Sequence, residues 1–442
     1  MKVAPAILAI AVTAAASMSA FGQAQPPTFR SSVDLIAIDV QVVDRDGRPI
    51  ADLKPETFSV TIDGRQRKVV SVDHVRHETG AIDAGGPALF RPGPTATNQW
   101  PASGPVARTF LLAFDTRSFN VADSRRAAQA ARAFVDRLAP NDVAGVYSFP
   151  LGPRIAPTAD RGPVRAALET ILGAEQKASS QFHLSPTEVI DISAEAAAAP
   201  TRQPSAFGQT GARGGQVAPG LGGGAMGTFG RVLLRECGGE NDLQCAQSVE
   251  REATDLALYY EAEVAREVND LTGLIRVLSD YPGRKTVVVF SRGIPVTDRP
   301  GGRPTVGDLA RVLGEEAARA NASIYALYFD STNFQTFAAE TRKTDRIAVS
   351  HARESNVMSR FLDEFASTSG GTMMRVVVGS GENALSQILR ETSAYYLLGV
   401  SPADADRDGR THRMRVKVDT RDATIRSRTW VHIPKQQPAR SR

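Results

Sequence analysis

Long apolar runs are scarce in this chain. Past the first residues none is long enough to cross a bilayer, so the remainder is expected to be soluble and not membrane-spanning. Cysteine is nearly absent too. The two present, Cys237 and Cys245, lie close together with no histidine nearby in sequence, which argues against a zinc site. Charge of one sign is not in excess: 52 basic residues against 48 acidic ones leave a net charge of +4, and no general case for a nucleic-acid partner. No nucleophile elbow, metalloprotease helix or phosphate loop occurs. Gly379-Ser-Gly381 lacks the lysine and the helix pattern that phosphate cradling needs. Nothing in the residues supports catalysis, and the chain is expected not to be an enzyme.

What is present starts with an export pattern. Lys2, an apolar stretch over 7–16 and small residues around Gly22-Gln-Ala24 read as a signal peptide over 1–24. No cysteine stands there to carry a lipid. In an exported chain Cys237 and Cys245 are expected to pair, closing a short loop; two free thiols are the alternative. The expected location is periplasmic or extracellular.

Residues 25–78 read as a small antiparallel β unit. Ile36, Ile38, Val40 and Val42 alternate with Asp39 and Gln41, and Asp63-Gly64 signals a hairpin. Residues 79–106 form a Pro/Gly-rich linker. From 107 to 394 apolar strands alternate with amphipathic helices. The strands are 110–114, 143–149, 286–290 and 324–329, and this pattern means a mostly parallel sheet covered on both faces. Residues 150–157 read as an extra edge strand. Insertions are expected over 174–245, with a Gly-rich tract, and over 331–356. A long helix over 246–281 carries Val264, Val268, Leu271, Ile275 and Leu278 at spacings of four and three, a stripe expected to pack on the sheet. Strands return over 395–434, followed by a basic tail over 435–442. The terminal strands are expected to assemble into one sandwich-like unit.

The order of these elements resembles a von Willebrand factor A domain in the centre, and the whole chain resembles the exported bacterial VWFA-related family. The residues that carry the resemblance are Ile38-Asp-Val-Gln-Val-Val-Asp-Arg-Asp-Gly47, Phe110 to Asp115, Pro282-Gly-Arg-Lys-Thr-Val-Val-Val-Phe-Ser291 and Tyr395-Tyr-Leu-Leu-Gly399. The resemblance implies a Rossmann-like α/β fold and export, and little about function.

It also implies a place for a cation. Such domains hold a metal through Asp-x-Ser-x-Ser after the first strand, a threonine from a second loop and an aspartate after the fourth strand. Here the first motif is Asp115-Thr-Arg117-Ser118-Phe119, and the fourth-strand position is Arg292. Thr158 or Asp160 is the candidate for the second loop. Guanidinium cannot ligate a metal and repels one. The site is therefore expected to be degenerate and without Mg or Ca, with Ser118 a reserve hydroxyl. Arg117 or Arg292 is expected either to pair with Asp115 or to present a fork to a partner carboxylate.

Two weaker patterns complete the reading. Asp404-Ala-Asp-Arg-Asp408-Gly409 has the form of a calcium loop, but its twelfth position is Arg415, and a hairpin turn is the preferred reading. Arg413, Arg415, Lys417, Arg426 and Arg428 read as a solvated outer face. The function expected is a non-catalytic interaction module for a protein or cell-envelope partner. A metal-dependent adhesin using Asp115, and an enzyme with its site in the insertions, are the alternatives.

Overall fold

The strands that open the chain and those that end it belong to the same sheet. The computed structural model describes residues 35–435 apart from 78–107, 177, 199–226, 240, 300–301, 331–347, 378 and 380. The expected signal peptide, the linker, the Gly-rich tract and most of the tail lie outside the described residues.

In chain order the first strands are β1 (Ile36–Val43), β2 (Phe58–Ile62) and β3 (Arg65–Arg76). Next come β4 (Thr109–Asp115), α1 (Val121–Asp136), β5 (Val143–Phe149), β6 (Arg154–Thr158) and α2 (Arg161–Glu169). Three helices follow: α3 (Pro186–Ala198), α4 (Thr228–Cys237) and α5 (Leu243–Leu278). Then β7 (Lys285–Ser291), α6 (Leu309–Arg319), β8 (Ala322–Phe329), α7 (Ala348–Thr368), β9 (Met373–Val376) and α8 (Glu382–Glu391) complete the α/β part. The chain ends in β10 (Ala394–Ser401), β11 (Thr411–Val418), β12 (Thr424–Arg426) and β13 (Trp430–His432).

The six-stranded sheet has the order β6-β5-β4-β7-β8-β9, all parallel except β6. Residue parity on β4 explains its unbroken apolar run. Phe110, Leu112 and Phe114 pack against α1, α2 and α8, while Leu111 and Ala113 pack against α5, α6 and α7. Both faces are covered, so neither phase of the strand can be polar until its last residue. Phe114 stacks on Phe290 across the sheet with centroids 4.3 Å apart. The stripe on α5 packs on this sheet, as its period requires.

The seven-stranded antiparallel sheet has the order β12-β1-β10-β3-β2-β11-β13. It is built from the amino- and carboxyl-terminal strands together, as expected. Ile38, Val40, Phe58, Val60, Leu398 and Val416 meet in a single cluster on one of its faces. The α/β part leaves this sheet after β3 and re-enters it at β10, where His77 N donates to Ser393 O at 2.8 Å.

The opposite face of β1 is also buried, against the α/β part. Alternation hid this. Asp39 and Gln41 are 7% and 0% exposed, and Gln41 accepts from the Tyr325 hydroxyl at 2.8 Å. Arg426 and Arg428 correct the solvated-face expectation for the same reason. Arg426 pairs with buried Glu391 at 3.1 Å, and Arg428 is buried beside Asn321 and Asp39. Arg413, Arg415 and Lys417 do face solvent.

Within the expected insertion over 174–245, α3 and α4 pack with the first half of α5 into an apolar cluster of their own; α7 starts at Ala348, inside the stretch expected to be polar insertion. The long helix starts at Leu243, three residues before the expected start, because Asp242 caps it by accepting from Cys245 N at 3.0 Å. Cys237 and Cys245 are bonded, joining the end of α4 to the start of α5.

Two outcomes follow from this connectivity. A chain ending at Ser393 lacks the strand that lies between β1 and β3, so limited proteolysis should cut rapidly within residues 35–77; protection there would contradict the interleaved sheet. Replacing both cysteines by serine should lower stability by about 2–3 kcal/mol, the loop-closure entropy of so short a loop, read by urea melts with and without reductant.

Candidate functional site

β4 and β7 are adjacent parallel strands whose helices lie on opposite faces, so their carboxyl ends flank a switch point, where open α/β sheets bind ligands. Asp115 ends β4 and Ser291 ends β7. Both stand in the phase that faces α5. Asp115 is 5% exposed and accepts from Ser291 Oγ at 2.8 Å and from Ser118 N at 3.3 Å. Burial pushes its carboxyl up, and those hydrogen bonds only partly offset the rise. The turn after β4 is short because Asn120 caps α1, accepting from Asp123 N at 2.8 Å.

The remaining motif residues do not converge on a cation. The Ser118 hydroxyl donates to Asp115 O at 3.0 Å and accepts from Arg292 N at 2.9 Å, so it holds two backbones together. Phe119 is fully buried and sits edge-on to Phe329 in the core. Thr158 is misplaced by the sequence expectation. It stands opposite Ala144, near the amino end of β5, because β6 runs antiparallel and carries its last residue away from the carboxyl edge.

Neither arginine forms an ion pair with Asp115, which corrects the expected internal pairing. Arg117 Nη1 lies 2.6 Å from Glu263 Oε2 on α5. Burial lowers its pKa and the bond to Glu263 raises it, with a net rise. Arg292 is 7% exposed and reaches Glu175 at 2.7 Å and Ser118 O at 3.3 Å. The next residue must be glycine. Gly293 has φ +75°, and a Cβ there would stand 2.1 Å from Met358 O.

These groups line a cavity of about 310 Å³ at the carboxyl edge. Its acids are Asp115, Glu175, Glu263, Glu267, Asp270 and Glu354, its bases Arg117 and Arg292, and Tyr259, Tyr260 and Tyr328 add aromatic surface. Glu267 is 5% exposed, and neither of its carboxyl oxygens has a hydrogen-bond partner. Burial, then the neighbouring Asp115, Asp270 and Glu263, pushes its pKa well up, with Arg117 acting the other way. Burial also raises Asp270, and Tyr260 is pushed up to about 12.

Glu263, Glu267 and Asp270 went unremarked in the sequence. Their spacing of four and three puts them on one helical face, one position before the apolar residues Val264, Val268 and Leu271. That acidic row beside an apolar row was the available signal.

Among the described residues no group of three or more His, Cys, Asp or Glu side chains is placed to hold a metal. The calcium-like loop has its carboxylates turned elsewhere. Asp406 makes two 2.6 Å bonds to Arg67, and Asp408 lies 3.1 Å from His412 Nε2. His74 and His77 stack on Tyr396 and Tyr395 respectively.

A buried, unpartnered carboxyl with a raised pKa destabilises the chain while it is ionised. The folded state holds its proton to higher pH than the unfolded state, whose value is about 4.3. Stability from this group is present at acid pH and is lost as pH rises through the folded value. Glu267→Gln should therefore stabilise the chain by about 1–2 kcal/mol at neutral pH. The advantage over the native chain should shrink on acidification toward pH about 4.3, measured by paired urea melts. An equal difference at every pH would contradict the assignment.

No family model matches the chain, and no curated protein matches it. Among solved structures it is similar to the human COPII-coat protein Sec24c, with 7% identity and a TM-score of 0.27, over 75% of this chain and 44% of that one. The chain thus spans less than half of that protein's length, and a likeness this slight carries no inference about the site.

Proposed function

We propose that the chain is an exported, non-catalytic interaction module that engages a protein or cell-envelope partner at the carboxyl edge of its parallel sheet, without a metal ion. The observation that carries the reading is the position of Arg117 and Arg292. They flank Asp115 where the von Willebrand A resemblance puts oxygen ligands, and each is tied to a carboxylate from a distant segment. A divalent ion beside Asp115 would meet two fixed positive charges. The serine hydroxyl that could ligate it is engaged by backbone groups on both sides.

Export is supported by the sequence pattern at the amino terminus and by the Cys237–Cys245 bond, a feature of oxidising compartments. Interaction is supported by the cavity at the edge, which the two ion pairs leave unfilled. No helix among the described residues is long and apolar enough to cross a membrane.

Mg²⁺, Mn²⁺ and Ca²⁺, each added to metal-stripped protein, should leave the melting temperature unchanged. A rise that Asp115→Ala abolishes would overturn the metal-free reading in favour of a metal-dependent adhesin.

A further inference from the structure

The two arginines at the edge are neutralised within the chain, but the cavity beside them is not. Its described lining carries six carboxyl groups and two guanidiniums, a formal excess of four negative charges. Glu263 and Glu175 are consumed by the ion pairs with Arg117 and Arg292. Asp115 is held by two serines. Glu267 is different: it is nine-tenths buried at the cavity, both of its oxygens lack a partner, and its own helix places Asp270 one turn further along. A buried carboxyl without a partner is costly, and a ligand that supplies the missing partner is one physical reason for a chain to keep it.

The shape of the site selects the kind of partner. The carboxylates are distributed around a cavity of about 310 Å³ and do not converge on a point as ligands of a bare ion do. Tyr259 and Tyr260, half-buried on the turn of α5 before Glu263, supply ring surface for a cation with an organic body. Distributed acids with aromatic walls suit a guanidinium or ammonium group on an alkyl stem.

We propose that this cavity receives an arginine or lysine side chain of the partner protein, whose cationic head supplies the counter-charge to Glu267 and Asp270. This rests on the interaction reading above and names what that edge recognises. It reverses the polarity the resemblance implies, in which a bound metal receives a partner's carboxylate. The cation would enter past Asp270, which is the more accessible of the two acids, and Glu267 would turn its carboxyl toward it from the floor. Arg117 and Arg292 serve as fixed walls and are not the recognising groups.

Calorimetric titration of the full chain with blocked tripeptides of the form Gly-X-Gly tests this, where X is arginine, lysine or glutamate, with agmatine as a free organic cation. The arginine and lysine peptides should bind and the glutamate peptide should not. Glu267→Gln and Asp270→Asn should each weaken the cationic peptides tenfold or more, and raised salt should weaken them in the native chain. Because Glu267→Gln is expected to melt no lower than the native chain, its loss of binding would not be unfolding. Binding of the arginine peptide unchanged in both variants overturns the assignment. Preferential binding of the glutamate peptide overturns it too and returns recognition to the arginines. Agmatine binding tighter than either peptide overturns a protein side chain as the source. A Mg²⁺ response removed by Asp115→Ala would instead overturn the metal-free module itself, a separate failure.

Discussion

The carboxylate of Glu391 is the charge on which the rest of the structure hangs. It is fully buried at the end of α8, three residues before β10, where the chain re-enters the antiparallel sheet. Arg426 of β12 lies 3.1 Å from it, Gln387 donates to it at 2.8 Å, and the Tyr325 hydroxyl of β8 lies at 3.3 Å. The backbone carbonyl of the same residue accepts from Gln41 of β1 at 3.1 Å. One residue thus ties both sheets, a helix and both ends of the chain. A buried ion pair of this kind adds little net stability, but removing one partner costs about 3–5 kcal/mol. What it secures is the seating of one sheet on the other: a shifted register on β1 would break both buried hydrogen bonds of Gln41, to the Glu391 carbonyl and from the Tyr325 hydroxyl.

That seating reaches the candidate site through β8 and β7. Lys285 opens β7, buried, with its ammonium donating to Ala320 O at 2.6 Å and its pKa lowered to about 8 by burial and then by Arg428. Beside it, Arg428 bonds to Asn321 just before β8, and the Tyr325 hydroxyl of β8 donates to Gln41 of β1, so this side of the parallel sheet carries polar contacts to the terminal strands. The carboxyl ends lack this cover, and the cavity with Asp115 and Arg292 lies there. The division is physical: one end of the parallel sheet packs on the rest of the chain, and the other carries the open cavity, at the edge where such sheets bind ligands.

Much of this was legible in the residues, and the exceptions have identifiable causes. Strand runs such as 110–114 are unbroken because both faces are covered, so the α/β architecture and the place of Asp115 at a strand end could be read directly. The same is true of Arg117 and Arg292 beside it. Their partners could not be read, because Glu263 and Glu175 are brought in by segments 146 and 117 residues away. Thr158 was misplaced because strand direction is not written in a five-residue run. Asp39 and Gln41 looked like a solvated phase because alternation reports polarity, not exposure; here the polar phase is a buried interface whose groups are paired across it. The acidic row on α5 was hidden by its apolar neighbours, which account fully for the helix.

Arg117 and Arg292 stand where the von Willebrand A resemblance expects oxygen ligands, and under the proposed reading this changes what the edge can bind, beyond removing a metal. A metal would have concentrated positive charge at one point and left the surrounding acids compensated. The guanidiniums bond to Glu263 and Glu175 and offset Glu267 and Asp270 only through space, with their charge fixed along the walls. Glu267 and Asp270 stay without an ion-pair partner among the described residues, and burial raises the pKa of both. Under the proposal above, a cationic group from the partner would complete the charge of the described lining. On that reading the loss of a metal site and the acidic cavity beside it are one feature, lined by α5, whose other end the Cys237–Cys245 bond ties to α4.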